Sequence, residues 1–207
     1  MTATKSEVVI VSKTRMSENK ICVGAYDIFN NRMLRLLSDT AGPLNDNYPY
    51  EIGQAYKMTY ESRYKVTPPH TEDVAVYDYV EIEPTADHDL DAITSGLAIQ
   101  CAELSNLFDG ALRWENGSGF VEEENNLGYS VQIATLGHPL SKDGDYYVQR
   151  RFGLAISKVK YVGHLSFDDM LQVIPSGTKI RFSLARLWDK NGDGNRRAYL
   201  QLSGIYN

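Results

Sequence analysis

Thr67-Pro68-Pro69-His70-Thr71-Glu72-Asp73 stands between two strand patterns, and its reading decides the fold. Consecutive prolines fix φ at two positions, withdraw two backbone donors and hold Thr67 extended. The segment makes a rigid corner, with an imidazole and two carboxylates set just beyond it. Upstream, residues 56–66 alternate as a half-buried strand does; downstream, residues 74–82 are a further strand-like run. Three further strand patterns precede them. Val8-Val9-Ile10-Val11 is the β-branched centre of a buried strand over residues 7–13. After a polar break at Met16-Ser17-Glu18-Asn19, residues 20–28 form a second strand and 32–38 a third. Phe29-Asn30-Asn31 turns between these two, since Asn tolerates positive φ. A loop rich in Gly, Pro and Asn fills residues 40–50. Five strands before residue 86 predict a small closed or partly closed barrel.

Residues 87–207 read as a second domain opened by an amphipathic helix. Asp89 or Asp91 caps it, Leu90, Ile93, Leu97, Cys101, Leu104 and Leu107 or Phe108 recur at helical spacing, and Asp109-Gly110 stops it. Residues 114–145 predict short strands with long loops, and 146–161 return to strand character. Ser166-Phe167-Asp168-Asp169 is a capping-box pattern for a short helix ending near Val173. Pro175-Ser176-Gly177 is a turn, and residues 179–188 with 196–206 form a closing hairpin. Val9-Ile10-Val11-Ser12-Lys13 is echoed by Leu154-Ala155-Ile156-Ser157-Lys158, and residues 20–38 by 179–203, which suggests two related β modules.

Composition narrows the function. Hydrophobic residues make up 43% of 207, enough for a core, and fourteen tyrosines favour pleated surfaces. The net charge of −6 speaks against an indiscriminate polyanion binder. The distribution is uneven: residues 87–146 carry two Lys and Arg against eleven Asp and Glu, and 147–207 carry ten against four. The basic third is either a local anion-binding face or the internal partner of the acidic segment. Cys22 and Cys101, in unlike contexts, form no metal quartet or disulfide framework and read as buried thiols of a reducing compartment. With no apolar leader and no run of membrane-spanning length, the expectation is a cytoplasmic protein that does not engage a membrane.

Several stretches carry a resemblance. Ser12-Lys13-Thr14-Arg15-Met16, Ile21-Cys22-Val23-Gly24-Ala25-Tyr26-Asp27, Arg32-Met33-Leu34-Arg35-Leu36 and Pro68-Pro69-His70-Thr71-Glu72-Asp73 resemble the dual OB-fold domain family of prokaryotes. Ser183-Leu184-Ala185-Arg186-Leu187-Trp188 and Tyr199-Leu200-Gln201-Leu202-Ser203-Gly204-Ile205-Tyr206 are similar to that family's closing hairpin, with Ile205 where members often carry Trp. The resemblance implies two OB-like barrels in a mainly β chain, a nucleic-acid or nucleotide ligand, and work in anti-phage or other conflict systems.

The candidate ligand-binding residues are Arg15, Arg35, His70, Glu72, Arg150, Arg151, Arg186 and Trp188. Guanidinium groups on barrel strands meet phosphates or stack on bases, and an exposed Trp offers a stacking face. The same arginines can pair within the sheet, with Asp27 or Glu72 as partners for Arg15 and Arg35. His70, Glu72 and Asp73 have the residue types of an acid–base set, but no companion nucleophile accompanies them, so binding without catalysis is expected. Asp189-Lys190-Asn191-Gly192-Asp193-Gly194 matches half of a calcium loop; Leu200 occupies the twelfth position, where a carboxylate is needed, so a turn is expected and no metal or cofactor. A protein-interaction adaptor working through the acidic 87–146 segment is the rival function.

Overall fold

The computed structural model describes residues 3–63, 66–190 and 192–206. The chain divides into two compact units, Met1–Thr67 with Thr71–Ile93, and Pro68–His70 with Thr94–Asn207.

The first unit contains β1 (Thr4–Arg15), β2 (Lys20–Asp27), β3 (Arg32–Leu37), β4 (Leu44–Asn45), β5 (Ala55–Ser62) and β6 (Asp73–Ile82). β1, β2 and β3 are an antiparallel meander, β3 pairs parallel with β6, β6 pairs with β5, and β5 returns to β1. The five strands therefore close into a barrel with the connectivity of an OB fold. Closure depends on the length of β1. Thr4–Val9 pairs with β5, Val8–Arg15 pairs with β2, and a bulge between Ile10 and Ser12 bends the strand from one partner to the other. Inward-facing Val8, Ile10, Val23, Leu34, Leu36, Met58 and Tyr60 fill the interior. Asp27, fully buried at the end of β2, accepts hydrogen bonds from Ser6 Oγ (2.5 Å), the backbone N–H groups of Phe29 and Asn30, Asn30 Nδ2 and Tyr60 OH. It ties the β2–β3 turn to β1 and β5.

The second unit repeats this topology. Its strands are β7 (Ile99–Cys101), β8 (Arg113–Glu115), β9 (Ser118–Glu122), β10 (Val131–Leu136), β11 (Leu140–Asp143), β12 (Tyr146–Arg151), β13 (Leu154–Tyr161), β14 (Val173–Ile174), β15 (Lys179–Leu184) and β16 (Arg197–Tyr206). β10 and β11, broken at Gly137-His138-Pro139, act as one bent first strand. β11 pairs with β12, β12 with β13, β13 parallel with β16, β16 with β15, and β15 with β10. That circuit is again the OB circuit. β9 inserts beside β13 and β16 at one end. The expected echo of Val9–Lys13 by 154–158 is no structural repeat, because the first segment lies in a first strand and the second in a third. Side-chain alternation alone produces such matches; the true repeat lies in the pairing pattern.

The helix is shorter than its spacing predicts. α1 spans Leu90–Leu97, with Asp89 Oδ1 accepting from Ala92 N at 2.7 Å, so Asp89 is the cap. The chain then leaves the helix at Ala98 and pairs Ile99, Gln100 and Cys101 in parallel with β10. Gly96 weakens the last turn by roughly 1 kcal/mol relative to Ala, and the edge of β10 offers alternative partners for the backbone. Leu104, Leu107 and Phe108 are buried in the second core from 3-10 turns rather than from a helical stripe. Ser166 precedes a single 3-10 turn, Phe167–Asp169, and Val173–Ile174 is a strand. Cys101 is buried, and burial pushes its thiol up to about 11, so it is protonated at neutral pH; Cys22, expected buried as well, is half-exposed on β2.

Candidate binding face of the second barrel

The arginines of the basic third are largely engaged by the acidic segment. Arg151 Nη1 lies 3.4 Å from Glu103, Arg196 Nη1 2.9 Å from Glu123, and Arg197 reaches Asp193 at 3.0 Å and Glu115 at 3.5 Å. Arg150 pairs with Asp143 and Arg113 with Glu122. Arg181 is buried and donates to Ser203 Oγ at 2.8 Å. Of the two readings of the charge asymmetry, internal pairing accounts for most of the arginines. It also engages much of the acidic surface an adaptor would use.

The corner residues are similarly committed. Arg35 and Met33 share the outer face of β3, and Arg35 Nη2 meets Asp73 Oδ2 at 2.6 Å, with Arg63 Nη1 3.6 Å from the same oxygen. Asp73 is almost fully buried; burial raises its pKa more than the two guanidinium groups lower it. The Glu72 carbonyl accepts from Arg35 N at 2.8 Å, so this residue contributes backbone to the β3–β6 junction. His70, next to the cis Pro68-Pro69 peptide, is 4% exposed, with Nε2 3.1 Å from the Ala185 carbonyl oxygen. Arg15, at the exposed end of β1, meets no carboxylate among the described residues. Within the first unit Arg35 meets the Glu72 backbone; within the second, His70 meets the backbone beside Arg186, and Arg150 and Arg151 end β12.

Arg186 and Trp188 lie beyond the end of β15 at Leu184, in the connection to β16. Alternation along residues 179–188 would put Arg186 and Trp188 on the face of Leu184, but the strand ends there: Leu184 is core, Leu187 packs against the core, and Arg186 and Trp188 are exposed. Trp188 exchanges two backbone hydrogen bonds with Arg197, both 3.1 Å, while the residue is 60% exposed. Asp189 accepts from the N–H groups of Asp193 and Gly194, which makes the calcium-loop lookalike a turn; Asn191 lies outside the described residues. Among the described residues no three His, Cys, Asp or Glu are grouped to hold a metal ion.

A groove of about 420 Å³ opens on the outer face of β12 and β13. Tyr146, Val148, Ile156 and Lys158 line it, and the Asn116-Gly117 turn forms a wall, held by a 2.7 Å hydrogen bond from Lys158 N to the Gly117 carbonyl. Lys158 Nζ sits 5.2 Å from the centre of the Tyr146 ring. Neither Lys158 nor the exposed Lys160 has a carboxylate partner among the described residues, and Asp143 at the rim is neutralised by Arg150. The face therefore combines a flat ring, an apolar floor and uncompensated positive charge. Lys158 and Phe152 were not among the residues singled out from the sequence. Phe-Gly between two strand runs was the available signal for Phe152, whereas the Lys158–Tyr146 pairing exists only through the β12–β13 register.

No curated protein and no solved structure compared with the chain matches it. No helix among the described residues is long and apolar enough to cross a membrane. A family model described as the dual OB-containing domain matches residues 6–205, in keeping with the two barrels and their strand order, and the chain belongs to that family.

Proposed function

We propose that this protein binds a single-stranded nucleic-acid segment or a nucleotide-derived ligand on the outer face of β12 and β13, without turnover. The observation that carries the reading is the groove itself, with Lys158 above the Tyr146 ring and no carboxylate paired with it among the described residues. These are the second and third strands of an OB barrel, the face on which such barrels present ligands. A ring beside a cation suits a nucleotide, since the base stacks and the phosphate pairs. Arg186 and Trp188, in the connection between the fourth and fifth strands, belong to a loop that OB barrels also use for contact.

Fluorescence anisotropy with labelled single-stranded DNA and RNA oligonucleotides tests this. Binding in the micromolar range or tighter is expected, weakened about fivefold or more by Lys158→Ala with the melting temperature unchanged. Flat titrations across both nucleic acids and a nucleotide panel would overturn the reading.

A further inference from the structure

We infer that Phe152 is a base-stacking residue at the tip of the β12–β13 hairpin, which makes the ligand of the adjoining groove a single strand with one base turned onto that ring. This rests on the binding reading above.

Phe152 is 95% exposed and Leu154, beside it, 73%. The turn has two residues, Phe152 and Gly153, both at positive φ (50° and 80°), as a type I′ hairpin turn requires. The second barrel contains a control. Asn116-Gly117 joins β8 and β9 with nearly the same angles, 50° and 78°, and uses the residue pair such turns favour. At Phe152 a bulky aromatic takes the place of Asn, Asp or Gly in a conformation that side chains with a Cβ resist. Folding does not call for a phenyl ring there, because the ring is almost wholly in solvent.

Its surroundings select the partner. Arg151 holds its guanidinium 5.8 Å from the ring centre, and Arg150 is anchored by Asp143 and by the Gly153 carbonyl at 3.3 Å. Ala155 and Ile156, the next residues along β13, already line the groove, and Lys158 and Lys160 follow. An apolar ring continuous with a cationic groove matches an alternation of base and phosphate, and stacking on it tolerates any base. A purely apolar partner would leave Lys158 and Lys160 uncompensated.

The test uses the full chain and a short single-stranded oligonucleotide carrying 2-aminopurine, with wild type, Phe152→Asn, Phe152→Trp and Lys158→Ala. Phe152→Asn places a favoured residue in the turn, so its melting temperature should equal or exceed the wild type's. Its affinity should nevertheless fall about tenfold, with loss of the 2-aminopurine quenching that the wild type produces, and Phe152→Trp should restore both. Wild-type affinity and quenching in Phe152→Asn, alongside weakened binding by Lys158→Ala, would overturn the stacking role and leave the groove reading intact. A lowered melting temperature in Phe152→Asn would show that the ring serves the fold and overturn the inference. Absence of oligonucleotide binding by the wild type would overturn both, and its co-sedimentation with anionic vesicles would then assign the tip to a membrane surface.

Discussion

Asp27 shows how one residue anchors a barrel. Burial works to raise its pKa, but hydrogen bonds from Ser6, Tyr60 and Asn30 outweigh this and hold the carboxyl below its ordinary 3.8. A carboxylate lowered in the folded state contributes stability above its unfolded value, and that contribution is lost as pH falls through the folded one. Asp27→Asn should therefore cost about 2–4 kcal/mol in urea unfolding at pH 7. It should also flatten the stability loss of the wild type below about pH 4; an unchanged acid limb would assign that loss to other carboxylates. At Arg35 the strand pattern revealed the outer face and its charge. It could not choose among carboxylates, and the parallel register of β3 against β6 sets Asp73 opposite.

At the scale of elements, strands were legible wherever apolar alternation and turn residues agreed, as in β2, β3, β6 and the β15–β16 hairpin. The helix from Leu90 was legible at its cap and not at its end, because apolar spacing cannot distinguish a helical stripe from 3-10 turns laid over a barrel. One polar group shows how those turns are held. Gln149 Oε1, buried in β12, accepts from Leu104 N at 3.1 Å and from Ser157 Oγ at 3.3 Å. Gln149→Leu preserves the size of the side chain but strands the buried Leu104 N–H, and should cost roughly 1–3 kcal/mol. Hydrogen exchange should localise the loss to residues 101–108; a uniform loss across the second barrel would refute that local role.

At the scale of the molecule, charge is largely paired within the second unit, and this limits how strongly a polyanion can be held. With Lys158 and Lys160 available and Arg150 and Arg151 held by Asp143 and Glu103, about two phosphates are neutralised. The logarithm of affinity for a single strand should then fall with the logarithm of salt at a slope of roughly −1.4, from about −0.7 per contact. Anisotropy titrations over a range of salt concentrations check this. A slope steeper than about −4 would mean that the pairs with Glu103, Glu115 and Glu123 open on binding.

By itself the sequence determined the strand patterns and the corner at Pro68-Pro69, because alternation, turn chemistry and proline geometry are local and act on neighbours along the chain, while the two-barrel kinship came from the resemblance of its motifs to a family. Only the tertiary structure decided which charges cancel, that β10 and β11 serve as one strand, and that Tyr146 and Lys158 face the same groove. Those facts depend on strand register, which joins residues far apart in sequence.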